Sequence, residues 1–464
     1  MPPPVPSTPA PERSVDAAVV RRDILDAEAG PDPYVLRDAR VTGALRLDGA
    51  EIRRAVRFEG CRFDESVSLE GAGTLGIAFT GCVLPGLAAS TARIGGRVDL
   101  QWSTIGERDG AAAAVDLAQA EIAGRVRLDG ARLVAPGRTA LEAGGLMARG
   151  GVFCEPEFVA EGEVAFLGAE LPGGLWMRGA RIRVGVADTC AFVGDAVKAS
   201  NVRCQGLRTD AKVRLRGAQV EDLVSFQDAE LMGPGASLMC VAMQAGAVDL
   251  RFARVPAGSV NLRNAQASRL QDDPRTWPAT LGLDGLTYDW LGETAGTRRE
   301  DVTNRLAWLR RQPVYAPQPY EQLASHYRRC GHEDEARRVL LVRERRRRAT
   351  LGPAGRAWGW LLEATVGYGY RPWIAGIWLA ALTLLGTAVF AAHTPVPNKK
   401  GEGPPFNPVA YALDLMVPIG GLGQRGGWHW DEAGVQGLAY GLIAVGWILT
   451  TTVVAGVTRT LSRG

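Results

Sequence analysis

The chain has 464 residues, of which 46% are hydrophobic and 22% charged, and its formal net charge is +3. That length allows two or three domains, and the near-neutral charge gives no global argument for nucleic-acid binding. The seven cysteines form no CxxC pair and are interpreted as reduced thiols, mostly buried in a cytoplasmic domain.

The first 33 residues begin with the proline-rich stretch MPPPVPSTPAPERS. They lack the apolar core of a signal peptide, so a disordered tail is predicted over 1–33. Heavy use of Ala, Gly and Arg with little Lys favours a GC-rich bacterial genome as the source.

Residues 34–271 form a repeat in which apolar pairs at positions i and i+2 recur every five or six residues, as in Leu45/Leu47, Val126/Leu128 and Val213/Leu215. Such a pair is typical of a short strand with both side chains on one face. Gly, Asp or Asn then turns the chain. Two units of eleven residues would make a four-sided coil of about 22 residues, and stacked coils would bury a column of Leu, Ile, Val and Phe.

The small-polar-large core of the repeat is clearest at 50–52, 120–122, 131–133, 169–171 and 180–182. In these residues the chain resembles the pentapeptide-repeat family, with the five-residue rhythm changed to alternating steps of five and six. The resemblance covers roughly residues 35–268. It implies a mainly β fold, a right-handed quadrilateral parallel β-helix. A meandering β-sandwich is the alternative.

Residues 272–297 break the period with Pro and Trp and are predicted to form a last coil and a C-terminal cap, which the open edge of a β-helix needs. Helical periodicity from Arg298 predicts a short α-helical linker over 298–351, part of which resembles one tetratricopeptide-like hairpin. Its arginines are expected to meet anionic headgroups, although a solvated helix end is an equal alternative: Arg343, Arg345, Arg346, Arg347 and Arg348.

Two uncharged runs near the C-terminus are long enough to cross a bilayer. They predict transmembrane helices over 373–393 and 437–458, joined by an extracytoplasmic loop, 394–436. The arginine-rich entry and the basic tail, 459–464, place both termini in the cytoplasm, with the protein in the inner membrane. An interfacial segment, 352–372, carries aromatic residues suited to headgroup level: Trp358, Trp360, Tyr368, Tyr370 and Trp373.

Two segments resemble parts of ion channels. The motif TVGYG at 365–369 matches a potassium-channel filter, but it precedes the first span, so an interfacial role is favoured. The loop combines a short apolar helix, a glycine turn and an aromatic cluster, which suits either a pore loop or a lid on the outer leaflet. This arrangement resembles the two-span ends of other bacterial pentapeptide-repeat membrane proteins. Candidate pore-loop residues are Asp414, for which no partner is evident, Pro418, Gly420, Gly421 and Gly423.

Catalytic and metal chemistry finds little support. His326 and Cys330 are spaced for one helical face, with His332 nearby, but no second pair completes a metal site. Chains of this kind are sometimes labelled membrane-associated oxidoreductases, yet no GxGxxG, CxxC or haem motif is present. No catalytic residue, metal or cofactor is therefore predicted.

The leading hypothesis is a non-catalytic scaffold, in which a cytoplasmic β-helix held at the lipid bilayer presents a charged repeat surface to an unknown protein partner. Acidic and basic residues roughly balance along the repeat, which argues against nucleic acid as a partner. The alternatives are an oligomeric two-span pore regulated by the repeat domain, built as a homo-oligomer, and a membrane-associated oxidoreductase without an identifiable cofactor motif.

Overall fold

A computed structural model describes residues 13–26, 30, 32–106, 113–185, 189–294, 296–366, 372–399, 404–417 and 421–461, except for the side chains of 358, 361–366, 372 and 452–461. The chain divides into two compact units, 1–330 and 331–464.

The first unit is a parallel β-solenoid of about 12 turns. Its strands form two 18-stranded sheets in which neighbouring strands come from successive coils and run parallel. A typical coil contributes two consecutive short strands to one sheet and then two to the other, which gives four sides. The predicted mainly β class, a parallel β-helix followed by helices, is confirmed, and the β-sandwich alternative is wrong.

The strands of the solenoid are, in chain order, β1 Arg13–Asp16, β2 Tyr34–Arg37, β3 Ala39–Thr42, β4 Glu51–Ile52, β5 Val56–Glu59, β6 Arg62–Phe63, β7 Val67–Ser68, β8 Gly73–Thr74, β9 Ile77–Thr80, β10 Val83–Leu84, β11 Leu87–Ala88, β12 Arg93–Ile94, β13 Val98–Asp99, β14 Thr104–Ile105, β15 Ala113–Asp116, β16 Glu121–Ile122, β17 Val126–Arg127, β18 Arg132–Glu142, β19 Met147–Ala148, β20 Val152–Phe153, β21 Val159–Ala165, β22 Glu170–Leu171, β23 Leu175–Trp176, β24 Arg181–Arg183, β25 Cys190–Val193, β26 Lys198–Arg203, β27 Arg208–Thr209, β28 Lys212–Arg214, β29 Gln219–Ser225, β30 Glu230–Leu231, β31 Ala236–Met239, β32 Gln244–Leu250, β33 Ser259–Asn261, β34 Gln266–Asp272, β35 Leu281–Gly282 and β36 Thr287–Leu291.

One corner of the coil repeats the same chemistry in successive turns. The carboxylate of Asp116 accepts a hydrogen bond from the backbone N–H of Ala118 (2.9 Å), and Gln119 then adopts a φ of 57°. Glycine favours this left-handed conformation, which explains its frequency here. The residues with positive φ at this corner are Gly49, Gly71, Thr91, Gln119, Gly145, Gly168, Ala196, Gly217, Ala242, Asn264 and Gly285.

The interior is a column of apolar side chains, because each i, i+2 pair points inward. The rings of Phe58 and Phe79 stack with centroids 5.0 Å apart. Small polar residues fill a tighter corner: the Cys82 thiol lies 3.3 Å from the carbonyl oxygen of Phe58, and the Ser103 hydroxyl donates to the carbonyl of Phe79 (2.8 Å). Six of the seven cysteines are buried, as predicted, and Cys330 is exposed.

The N-terminal end differs from the prediction of a tail over 1–33. Strand β1 adds to β3 in parallel register, and helix α1, Ala17–Leu25, follows it directly. Asp16 caps α1, and the helix buries Ala17, Val20 and Ile24. The prediction of disorder was wrong for 13–25, since three apolar residues at helical spacing supply a cap for the first coil.

The C-terminal end of the solenoid is also covered by helices. Strands β35 and β36 continue the two ladders, so 281–291 forms a coil, and α2 (Arg298–Leu309) and α3 (Gln318–Arg329) follow. These two helices, predicted as linker, belong to the solenoid unit. The cap was therefore placed too early: 272–297 supplies the last coil, and side chains of α3 bind its backbone.

The second unit is helical. Its helices are α4 Glu333–Ala349, α5 Pro353–Val366, α6 Pro372–Ala392, α7 Pro408–Met416, α8 Gln424–Gly427 and α9 Ala433–Leu461, and β37 (Val396–Pro397) pairs antiparallel with β38 (Trp428–His429). Among the described residues, two helices are long and apolar enough to cross a membrane, at Trp373–Ala392 and Ala433–Thr451. Only 17% and 28% of these windows are buried, unlike the core helices of a soluble domain.

Candidate functional site

A groove follows one sheet of the solenoid over its last coils. It has a volume of about 840 Å³ and is lined by residues of β22, β26, β29, β32, β34 and β36. Since neighbouring rungs are about 4.8 Å apart, these six strands give the groove a length of about 24 Å.

One wall of the groove is a column of amide side chains. Gln219, Gln244 and Gln266 are in direct register on three successive strands, and all three are exposed. The next column inward holds Ala245 and Ala267. Small side chains there leave room above the sheet, so the depth of the groove follows from the alanines and its polarity from the glutamines.

The charges along the groove nearly cancel. At one end Lys198 pairs with Glu170 at 2.9 Å. Glu221 and Asp289 add negative charge along its length, and Arg329 adds positive charge at the other end. The groove therefore suits a ligand of low net charge that forms many hydrogen bonds.

Helix α3 closes one end of the groove and binds the edge of the last strand. The Gln322 amide donates to the carbonyl of Tyr288 (2.6 Å). The Arg329 guanidinium donates to the carbonyls of Tyr288 and Asp289 (2.8 and 2.9 Å). These bonds occupy backbone acceptors that an open β edge would offer to another chain.

A buried ion pair fastens α2 to the last coils. The guanidinium of Arg305 donates two 2.8 Å hydrogen bonds to the carboxylate of Asp272, and the two side chains are 1% and 4% exposed. Arg305 also lies between the rings of Trp277 and Trp308, 5.6 Å from each centroid. Together these contacts form a lock, defined here as the Arg305–Asp272 pair with its two tryptophans.

Two titratable groups near this lock are kept neutral by burial. Burial raises the pKa of the Tyr288 hydroxyl well above its usual value. Burial also lowers the pKa of His326, whose Nε2 lies 3.9 Å from the thiol of Cys330. Among the described residues, no group of three or more His, Cys, Asp or Glu side chains is placed to hold a metal ion.

The predicted membrane-interface residues lie on α4, α5 and the start of α6. The Arg348 guanidinium lies over the ring of Trp360 at 5.2 Å, and both Trp360 and Trp373 are exposed. Arg343 pairs with Glu344 at 2.5 Å and is mostly buried. Arg347 lies 3.8 Å from the same carboxylate, while Arg345 and Arg346 lie on the same helix. Tyr368, Tyr370 and the Trp358 side chain fall outside the described residues.

Helix α7 packs between the two apolar helices. Ala412 lies against Gly386 of α6, and Met416 lies so close to Gly446 of α9 that a Cβ on this glycine would be 2.6 Å from the Met416 Cα. The Thr450 hydroxyl donates to the carbonyl of Met416 (3.1 Å). The predicted short helix of the loop is therefore part of the hairpin's core.

Asp414 has partners that sequence analysis did not supply. Its side chain is buried, and its carboxylate accepts hydrogen bonds from the backbone N–H groups of Leu422 and Arg425, both at 2.8 Å. It thereby fixes the segment that follows α7. Gly421 lies in this segment, and Gly423 has a φ of 74°, whereas Pro418 and Gly420 fall outside the described residues.

The predicted aromatic cluster of the loop is also part of this core. The ring of Phe390 at the end of α6 stacks on Trp430 (5.2 Å) and meets Tyr411 edge-on (4.9 Å). The groove and the lock, in contrast, were missed, because both depend on which residues meet across coils. The small-residue positions Ala199, Ala245 and Ala267 were the available signal for the groove.

Comparisons with models of known protein families, with curated proteins and with solved structures found no match.

Proposed function

We propose that the chain is a membrane-anchored scaffold whose solenoid binds an extended segment of a partner protein along the groove. The observation that carries this proposal is the register of Gln219, Gln244 and Gln266 over a floor of small side chains. Amide side chains both donate and accept hydrogen bonds, as a peptide backbone does. A groove about 24 Å long accommodates about seven residues of extended chain.

The same proposal places the solenoid on the cytoplasmic face of a bacterial inner membrane and derives its coils from degenerate pentapeptide repeats. The two apolar helices support the anchor. The basic last turns of α4 support a cytoplasmic entry to the first span, and anionic headgroups suit the same arginines. Nothing in the described residues singles out an oxidoreductase function.

Site-specific photocrosslinking in native membranes tests the scaffold. A benzophenone side chain at Gln244 is expected to give partner adducts, whereas one at Met232, an exposed position outside the groove, is expected to give few. Replacing Gln219 and Gln266 with alanine should lower the adduct yield from Gln244 at least fivefold while leaving the fold intact, since both side chains are exposed. Equal yields from Gln244 and Met232, or no effect of the double substitution, would contradict the proposal.

A second candidate, the two-span pore, is favoured by one specific observation. Helix α7 enters between α6 and α9, and its last residue, Met416, contacts Gly446 and Thr450. Both of these lie in the second half of the span Ala433–Thr451. A lid on the outer leaflet would not need a contact at that depth.

A further inference from the structure

The contact between α7 and α9 fixes the depth at which α7 ends, given the second candidate function, in which α6 and α9 span a membrane. Gly446 and Thr450 hold Met416 in the second half of the span Ala433–Thr451. With a helical rise of about 1.5 Å per residue, Gly446 lies about 20 Å from the start of α9. Helix α7 therefore ends well inside a hydrocarbon core of about 30 Å.

The backbone that follows α7 is not helical. Val417 is extended, with φ −97° and ψ 116°, and Gly421, Leu422 and Gly423 are exposed and outside any helix. Backbone N–H and C=O groups in irregular conformation do not face lipid, because lipid offers them no hydrogen-bond partner. This segment must therefore face protein or water.

Arg425 gives an independent indication of the same environment. Its side chain is exposed, and its guanidinium lies 5.7 Å from the ring centroid of Trp447. Trp447 is also in the second half of the span Ala433–Thr451. A charged side chain at this depth faces a protein interior or a water-filled cavity, since exposure to hydrocarbon costs at least about 2.5 kcal/mol.

The outer face of α7 lies beside this polar segment and is apolar. Val409, Leu413 and Val417 are exposed, and their spacing of four places them on one side of the helix and its end. A polar segment flanked by an apolar stripe is the pattern of a surface that meets another protein along the stripe and encloses water beside it.

We propose that the chain assembles with further copies of itself through the α7 stripe, and that the assembly encloses a water-filled path for small inorganic anions. Arg425 supplies the positive charge that attracts the anion, and the 421–423 backbone lines the path. Asp414 holds this lining in place through its hydrogen bonds to Leu422 and Arg425.

Thiol labelling of the full chain in liposomes tests whether the segment meets water. In a Cys330→Ser background the remaining cysteines are buried. Leu422→Cys and Leu384→Cys then compare two exposed sites of the second unit, 56% and 72% exposed. A charged, membrane-impermeant thiol reagent should modify position 422 at least tenfold faster than position 384, which lies on α6 and faces lipid. Equal rates would overturn the water-filled path.

Chloride efflux from proteoliposomes tests the role of Arg425, with mass measurement in lipid nanodiscs as the readout of assembly. The wild-type chain should release chloride and form particles of at least two copies. Arg425→Gln should reduce efflux at least tenfold, whereas Arg425→Lys should retain most of it. A monomer, or efflux unchanged by Arg425→Gln, would overturn the proposal.

Alkaline carbonate extraction separates the two levels of the hypothesis. If the chain is washed from membranes, the second candidate function itself fails. If the chain resists extraction but stays monomeric with position 422 unreactive, the spans stand and the anion path alone is wrong. Resistance together with the labelling and efflux described above supports both.

Discussion

Thr91 shows how a single corner residue affects the stability of the solenoid. It occupies the left-handed corner with a φ of 55°, which costs a non-glycine residue about 1–2 kcal/mol and is unusual for a β-branched one. Thr91→Gly should stabilise the solenoid by about 0.5–1 kcal/mol after the entropy cost of glycine is subtracted. The measurement is the first thermal unfolding transition of the full chain in detergent.

The matched control is Gly217→Ala at the same corner of another coil. Gly217 has a φ of 62° and open space where a Cβ would lie, so only the backbone conformation penalises the change. We expect the transition to move to lower temperature, opposite to Thr91→Gly. Shifts of the same sign in the two variants would show that the corner conformation does not control stability.

At the level of elements, the lock between α2 and the last coils is the most consequential contact. Arg305→Met should destabilise the cap by about 3–5 kcal/mol, because it leaves the buried carboxylate of Asp272 without its cation. The measurement is hydrogen exchange of α2 and β36 in the full chain, which should accelerate while the first coils stay protected.

A double substitution distinguishes a lost ion pair from lost packing. Arg305→Met combined with Asp272→Asn removes the stranded charge, so it should be less destabilising than Arg305→Met alone. Additive effects of the two substitutions would contradict the lock.

The elements also show where prediction from sequence succeeds and where it stops. Inward pairs such as Val213 and Leu215 could be assigned from their spacing, because a period of two has one physical solution in a strand. Arg305 could not be assigned, since it lies beside the apolar residues Leu306 and Leu309 as any solvated arginine would. Its burial depends on Asp272, Trp277 and Trp308 meeting it from other elements.

For the whole molecule, the testable statement is orientation. Cys330 is the exposed cysteine of the chain, and it precedes the arginine-rich α4 that should stay in the cytoplasm. A membrane-impermeant thiol reagent should therefore label the wild-type chain in inside-out vesicles and after detergent treatment, and leave it unlabelled in intact spheroplasts. Labelling in intact spheroplasts would reverse the assigned topology.

The whole-molecule picture was predictable in outline. Uncharged runs longer than 18 residues and a repeat of short strands have few physical alternatives, so two apolar helices and a solenoid follow from the sequence. The groove was not predictable, because its floor depends on the register that brings Ala245 opposite Ala267. Coil length varies too much for that register to be counted from the repeat: Ile94 pairs with Thr74, but Lys198 pairs with Glu170.

The two capped ends also determine how the solenoid responds to a pulling force. Each inner coil contacts only the coils before and after it, so force applied at the C-terminal end loads the Arg305–Asp272 lock first. Once that contact yields, coils would peel away one at a time, each of 20 to 28 residues in register and each releasing about 7–10 nm of chain. A scaffold tethered to a membrane at that end would thus behave as an extensible tether whose first rupture is set by one buried ion pair.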